Sequence, residues 1–189
     1  MGWKRILLYV MLGVAILLPY VGLLIMKSWY DGKVAKIRNA EFIIIDKAAM
    51  RLMVYDYKGA ELMNFAIACG KNMGNKQERG DMRTPEGVFH ISGIEDASQW
   101  KHDFKDGKGE IEGAYGPWFL RLDTPGHKGI GIHGTHLPES IGTRATEGCI
   151  RLKNEDIAKL KERAYPGMTV VIVPSVEDVS SQRLAVSSQ

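Results

Sequence analysis

The chain has 189 residues, 45% of them hydrophobic, and a formal net charge of +3, enough for one packed domain and an appendage. The charge is confined to the first 40 residues, with six Lys/Arg and one acid, whereas the other 149 carry 19 basic and 21 acidic groups; no basic face for nucleic acid is expected. Two cysteines, Cys69 and Cys149, are too few for a disulfide scaffold.

Ile6 to Met26 is a run of 21 uncharged residues, and a bilayer-spanning helix needs about 20. Lys4 and Arg5 precede it and favour a cytoplasmic N-terminus; Lys27, Lys33, Lys36 and Arg38 follow and weaken the asymmetry. Pro19 and Gly22 are tolerated in a membrane helix. The rival reading is a cleaved signal peptide, which has a shorter apolar stretch ending in small residues. Ile25-Met26-Lys27-Ser28-Trp29 offers no such site. Residues 1–40 are therefore read as an uncleaved anchor, with a polar linker over 28–40.

Runs rich in Val, Ile, Phe and Tyr follow at Glu41–Asp46, Arg51–Tyr57, Glu61–Ala68, Gly87–Ile91, Trp118–Asp123, Gly129–His133, Gly148–Leu152 and Thr169–Val173. They predict a mainly β domain over 41–174, a sandwich or partly closed barrel with one or two short helices. Ser92–Gly116 is Gly-rich, charged and aperiodic, and reads as a long functional loop of the lid kind. Asn154 is expected to cap a helix with Ile157, Leu160 and Ala164 on one face, stopped by Pro166-Gly167. Residues 175–189, rich in Ser, read as a frayed polar tail.

Two segments carry chemistry: Gly129-Ile130-Gly131-Ile132-His133-Gly134-Thr135 and Thr146-Glu147-Gly148-Cys149-Ile150-Arg151-Leu152. Side chains alternate between faces along a strand. In the first, Ile130 and Ile132 point to the core; Gly129, Gly131 and His133 leave an open groove ending in an imidazole. In the second, Ile150 and Leu152 point inward, and Cys149 and Arg151 share the opposite face. If the two faces coincide, thiol, imidazole and guanidinium line one cleft. A thiol attacks as thiolate, and a neighbouring imidazole takes its proton. Gly148 lets backbone approach a substrate, the N–H groups of Gly148 and Cys149 suit an oxyanion, and Arg151 suits a carboxylate.

Each residue also has a plainer reading: a buried thiol, a structural imidazole, an arginine paired with an acid. Their combination on matching faces favours a site. His133, His136 and Cys149 permit a zinc reading, but no carboxylate or HExxH pattern joins them, and no metal is expected. His90, His102 and His127 read as surface or loop residues, and Cys69 as a buried structural thiol.

Ile132-His133-Gly134-Thr135 with Thr146-Glu147-Gly148-Cys149-Ile150-Arg151-Leu152 closely resembles the L,D-transpeptidases with the YkuD-type catalytic domain. The 16-residue offset from His133 to Cys149 fits, as do Thr84-Pro85-Glu86-Gly87-Val88-Phe89, Gly116-Pro117-Trp118-Phe119-Leu120 and the opening Phe42 to Gly70. The resemblance covers 41–174. It implies a β-rich fold with Cys149 as nucleophile, His133 as base and the Gly134 carbonyl orienting the imidazole. Gly148, Arg151 and Thr146 fall to oxyanion and substrate binding. It further implies peptidoglycan stem peptides as substrate, no cofactor, and a single-pass protein of the cytoplasmic (inner) membrane with a periplasmic catalytic domain. The same fold also allows an L,D-carboxypeptidase or a non-catalytic wall-binding module. One departure stands out: many members have His where this chain has Glu147, which leaves His133 as the one clear base.

Overall fold

The computed structural model describes residues 2–38, 40–105, 107 and 109–174; the tail expected over 175–189 lies outside the described residues. The chain forms two compact units that divide after Ala40.

The first unit is helix α1 (Gly2–Arg38), with Pro19 inside it. Between Gly13 and Val34 it is long and apolar enough to cross a membrane. Leu17, Leu18, Leu23, Leu24 and Ile25 all expose their side chains, which leaves a large apolar surface outside any core. The linker expected over 28–40 is helical as far as Arg38. Gly32 is the only strong helix breaker in that stretch, and Lys33 Nζ sits 4.1 Å from the Trp29 ring one turn away.

The second unit is mainly β. Strands β1 (Glu41–Asp46), β2 (Arg51–Asp56) and β3 (Glu61–Ala66) form a meander. Short β4 (Cys69–Gly70) precedes the long β5 (Gly87–Asp96). A small hairpin of β6 (Lys101–Asp103) and β7 (Glu110–Glu112) leads to β8 (Trp118–Leu122) and β9 (Gly131–His133). A 3-10 turn (Pro138–Ser140), β10 (Arg144–Thr146) and β11 (Ile150–Arg151) follow, then helix α2 (Asn154–Arg163) and β12 (Thr169–Val173).

The main sheet has the order β11-β9-β8-β5-β12-β1-β2-β3. It curls into a half-barrel: Ala68, just past β3, bridges to Arg151 in β11 at the other end of the order. Strict alternation fills the concave side, with Ile43, Ile45, Leu52, Val54, Val170 and Ile172 buried. Each such side chain contributes roughly 1.5–3 kcal/mol. Helix α2 adds Ile157 and Leu160 to the core.

Two expectations need correction. Ser92–Gly116 is not one loop: β5 runs on to Asp96, and β6 and β7 pair within it. Their charged, three-residue strands are too short to give a readable period, and the partner strand sets the pairing. Asn154 does not cap α2. Lys153 occupies that position without a side-chain cap bond, while Asn154 Oδ1 accepts the Thr135 N–H at 2.7 Å. The acceptor expected to serve the helix instead fastens the loop that follows β9.

Candidate active site

Strands β9 and β11 pair in parallel, with Ile132 opposite Ile150 and His133 opposite Arg151. The isoleucines enter the core, and period-two parity puts His133, Arg151 and Cys149 on the other face. They meet in a cavity of about 340 Å³ that Tyr115, Ile130, Thr146 and Glu147 also line.

His133 is 3% exposed. Its Nδ1 lies 2.6 Å from the Gly134 carbonyl. A carbonyl only accepts, so Nδ1 carries the hydrogen and Nε2 keeps a free lone pair. Phe119 stacks flat on the ring (5.6 Å, 6°), and Tyr115 meets it edge-on at 5.0 Å. Burial pushes the imidazole pKa down to about 3, against the Gly134 hydrogen bond that raises it. Burial likewise pushes the Cys149 thiol up to about 11, opposed by the Gly131 N–H. At neutral pH the resting pair is thus a neutral thiol and a neutral imidazole. The Cys149 Sγ–H points to the Gly129 carbonyl at 3.4 Å.

Thr146 knits the loop: its Oγ1 donates to the Cys149 carbonyl (2.6 Å) and accepts the Gly148 N–H (3.2 Å). That N–H must leave Thr146 to serve an oxyanion. Gly148 has φ +134°, and a Cβ there would lie 2.7 Å from the Arg83 carbonyl, so only glycine fits. Arg151 is 3% exposed, and its Nη1 donates to Ser140 Oγ at 2.9 Å. Its buried Nε has no partner among the described residues.

The groove face of β9 differs from expectation. Space beside Gly129 is open, but a Cβ on Gly131 would fall 2.3 Å from Phe119 Cε1. The ring occupies what the glycines seemed to leave empty. Cys69 is fully buried, its sulfur 3.7 Å from that of Met50. No group of three or more His, Cys, Asp or Glu converges as for a metal among the described residues.

Sequence reading missed His102, which it left on a loop. Nε2 of His102 lies 3.1 Å from Glu147 Oε2, and its Nδ1 3.0 Å from the Tyr115 hydroxyl. The available signal was Glu147 itself, an acid beside Gly148-Cys149 that calls for a partner.

The sequence model of YkuD, the L,D-transpeptidase catalytic domain, matches residues 40–173. This chain belongs to that family. YqjB of Bacillus subtilis (strain 168), which carries an L,D-transpeptidase name, is 27% identical over 149 residues, 76% of this chain and 79% of its own. Among solved structures, the helical cell shape determining protein Pgp2 from Campylobacter jejuni superposes with a TM-score of 0.52 at 23% identity, over 72% of this chain and 48% of its own. LdtMt1 in complex with imipenem gives 0.53 at 19% identity, over 71% and 59%. At these identities the likeness is one of fold, and this chain spans 48% and 59% of those two solved proteins.

Proposed function

We propose that the domain is a peptidoglycan L,D-transpeptidase with Cys149 as nucleophile. The observation that carries this reading is the imidazole–thiol pair on one cavity wall, with the His133 tautomer fixed by Gly134. The donor is a tetrapeptide stem. As it enters, the Cys149 side chain swings from Gly129 toward His133, whose Nε2 takes the thiol proton. The sulfur attacks the carbonyl of the third residue, and the oxyanion is met by the Cys149 N–H and by Gly148 once Thr146 releases it. Collapse expels D-alanine, whose amine takes the proton from His133. An acceptor amine then attacks the thioester, losing its proton to His133, and the thiol is restored. Water as acceptor makes the same site a carboxypeptidase. Mass spectrometry of muropeptide products with and without an amine acceptor tests the reading: cross-linked product supports it, tripeptide alone shifts it to the carboxypeptidase, and unchanged tetrapeptide overturns it.

Arg151 is assigned to a stem carboxylate through its planar fork. Arg151→Lys is expected to weaken acylation by roughly an order of magnitude or more, the worth of a charge-assisted hydrogen bond, while alkylation of Cys149 by iodoacetamide is spared. Parallel loss of acylation, alkylation and thermal stability would make Arg151 a scaffold residue instead.

Helix α1 is assigned as a single-pass anchor in the cytoplasmic membrane, with the domain on the periplasmic side. Its apolar length and the preceding Lys4 and Arg5 support this. The full chain is expected to sediment with membranes, and a chain beginning near Lys33 to be soluble with acylation within about twofold, since no cavity residue lies before it. A folded but inactive shortened chain would give α1 a second role.

A further inference from the structure

Glu147 stands one residue before Gly148-Cys149, on the loop that carries the thiol. Across the cavity, His102 in β6 reaches its carboxylate at 3.1 Å, and the Tyr115 hydroxyl lies 3.0 Å from the other ring nitrogen. A neutral imidazole satisfies both contacts in one tautomer: Nε2–H donates to Glu147, and the Tyr115 O–H donates to Nδ1. Around this bridge the rings interlock. Phe104 meets His102 at 4.5 Å and His136 at 5.3 Å, and Arg151 lies 6.0 Å from the Phe104 ring.

The hairpin that supplies His102 and leads into Phe104 has three paired positions. Two strands of that length do not hold together alone in water, so their place is set by docking. The two partners come from segments 45 residues apart, and neither has a role in the core.

We infer that His102 and Glu147 form a pair of positioning residues, which fastens the β6–β7 hairpin to the Cys149 loop and so holds the Phe104–Tyr115 wall over a bound peptide. The inference rests on the reading of Cys149 as nucleophile.

The test uses the full chain, with acylation by imipenem and by a purified tetrapeptide muropeptide as kinetic readouts. His102→Ala and Glu147→Ala are each expected to lower kcat/KM for the muropeptide about tenfold, chiefly through KM. The double variant is expected to be no worse than either single, because one interaction is lost once. Glu147→Gln, which keeps an acceptor for Nε2–H, is expected to stay within about threefold of the parent, as is the exchange His102→Glu with Glu147→His, which rebuilds the bond in reverse. Amide hydrogen exchange over residues 101–112 should quicken in the alanine variants and return to the parent rate in the exchanged one. Singles without effect, additive losses in the double variant, or an exchanged variant as slow as the singles would overturn the pair. If the parent chain takes up neither probe, the functional reading fails instead. Amide exchange then decides the docking: faster exchange in the alanine variants supports it, and an unchanged rate overturns it.

Discussion

Cys149→Ala is expected to form no adduct with imipenem, as judged by intact mass, and to lose D-alanine release by ~10⁴-fold or more, the scale seen when a nucleophile is deleted. The fold should persist, because the thiol is half-buried on a cavity wall and the core cluster does not include it; a stability change within about 1 kcal/mol is expected. Cys149→Ser should fare little better. The surroundings that hold even a thiol up to about 11 disfavour an alkoxide far more. The same electrostatics set the pH response. His133, held down at about 3, stays an unprotonated base well below the ordinary histidine range, so the acid limb of kcat/KM for the wild-type chain should lie far below pH 6.5. Measurable turnover by purified Cys149→Ala would end the assignment, and an acid limb near 6.5 would mean a solvated His133.

Gly131→Ala is expected to cost both stability and chemistry. Its Cβ would meet Phe119 Cε1 at 2.3 Å, Cζ at 2.5 Å and the Leu120 carbonyl at 2.7 Å. The ring has some freedom to move, but the carbonyl belongs to the neighbouring strand and does not. Overpacking of this kind costs about 1–3 kcal/mol, which in a domain of this size is a melting-point loss of roughly 3–12 °C. The displacement also travels: Phe119 lies flat on His133, so the imidazole shifts with it. A misplacement near 1 Å costs about 10²-fold in rate, and that loss is expected in muropeptide acylation. Retained activity within threefold, with an unchanged melting temperature, would show that the stack does not hold the base.

Much of this was readable from the chain because β structure has a period of two. Ile43/Ile45, Leu52/Val54 and Val170/Ile172 announce their strands by alternation, and the same parity places Cys149 and Arg151 beside His133. What escaped depends on distant partners. β4, β6, β7 and β10 are two or three residues long, and their composition is that of loops. His102 carries no local mark, since its partner Glu147 lies 45 residues further along the chain. Gly129 and Gly131 look alike in sequence, yet one faces open space and the other a phenyl ring, because β8 decides what lies opposite. Asn154 at a helix start reads as a cap until the loop after β9 takes its oxygen.

The place of β12 in the sheet has a consequence for how the chain assembles. Its neighbours are β1 on one side and β5 on the other. Without it, β1-β2-β3 and β5-β8-β9-β11 share no ladder in the sheet order and touch through the Ala68–Arg151 bridge, and each leaves an unpaired strand edge bare to water. The strand that joins them, Thr169–Val173, is the last described element to emerge during synthesis, and its pairing with Glu41–Asp46 closes a loop of well over a hundred residues. The central ladder must therefore wait until that strand has been made. Folding of such long-range pairings is slow, and the interval is the one in which this protein is most exposed to aggregation and proteolysis.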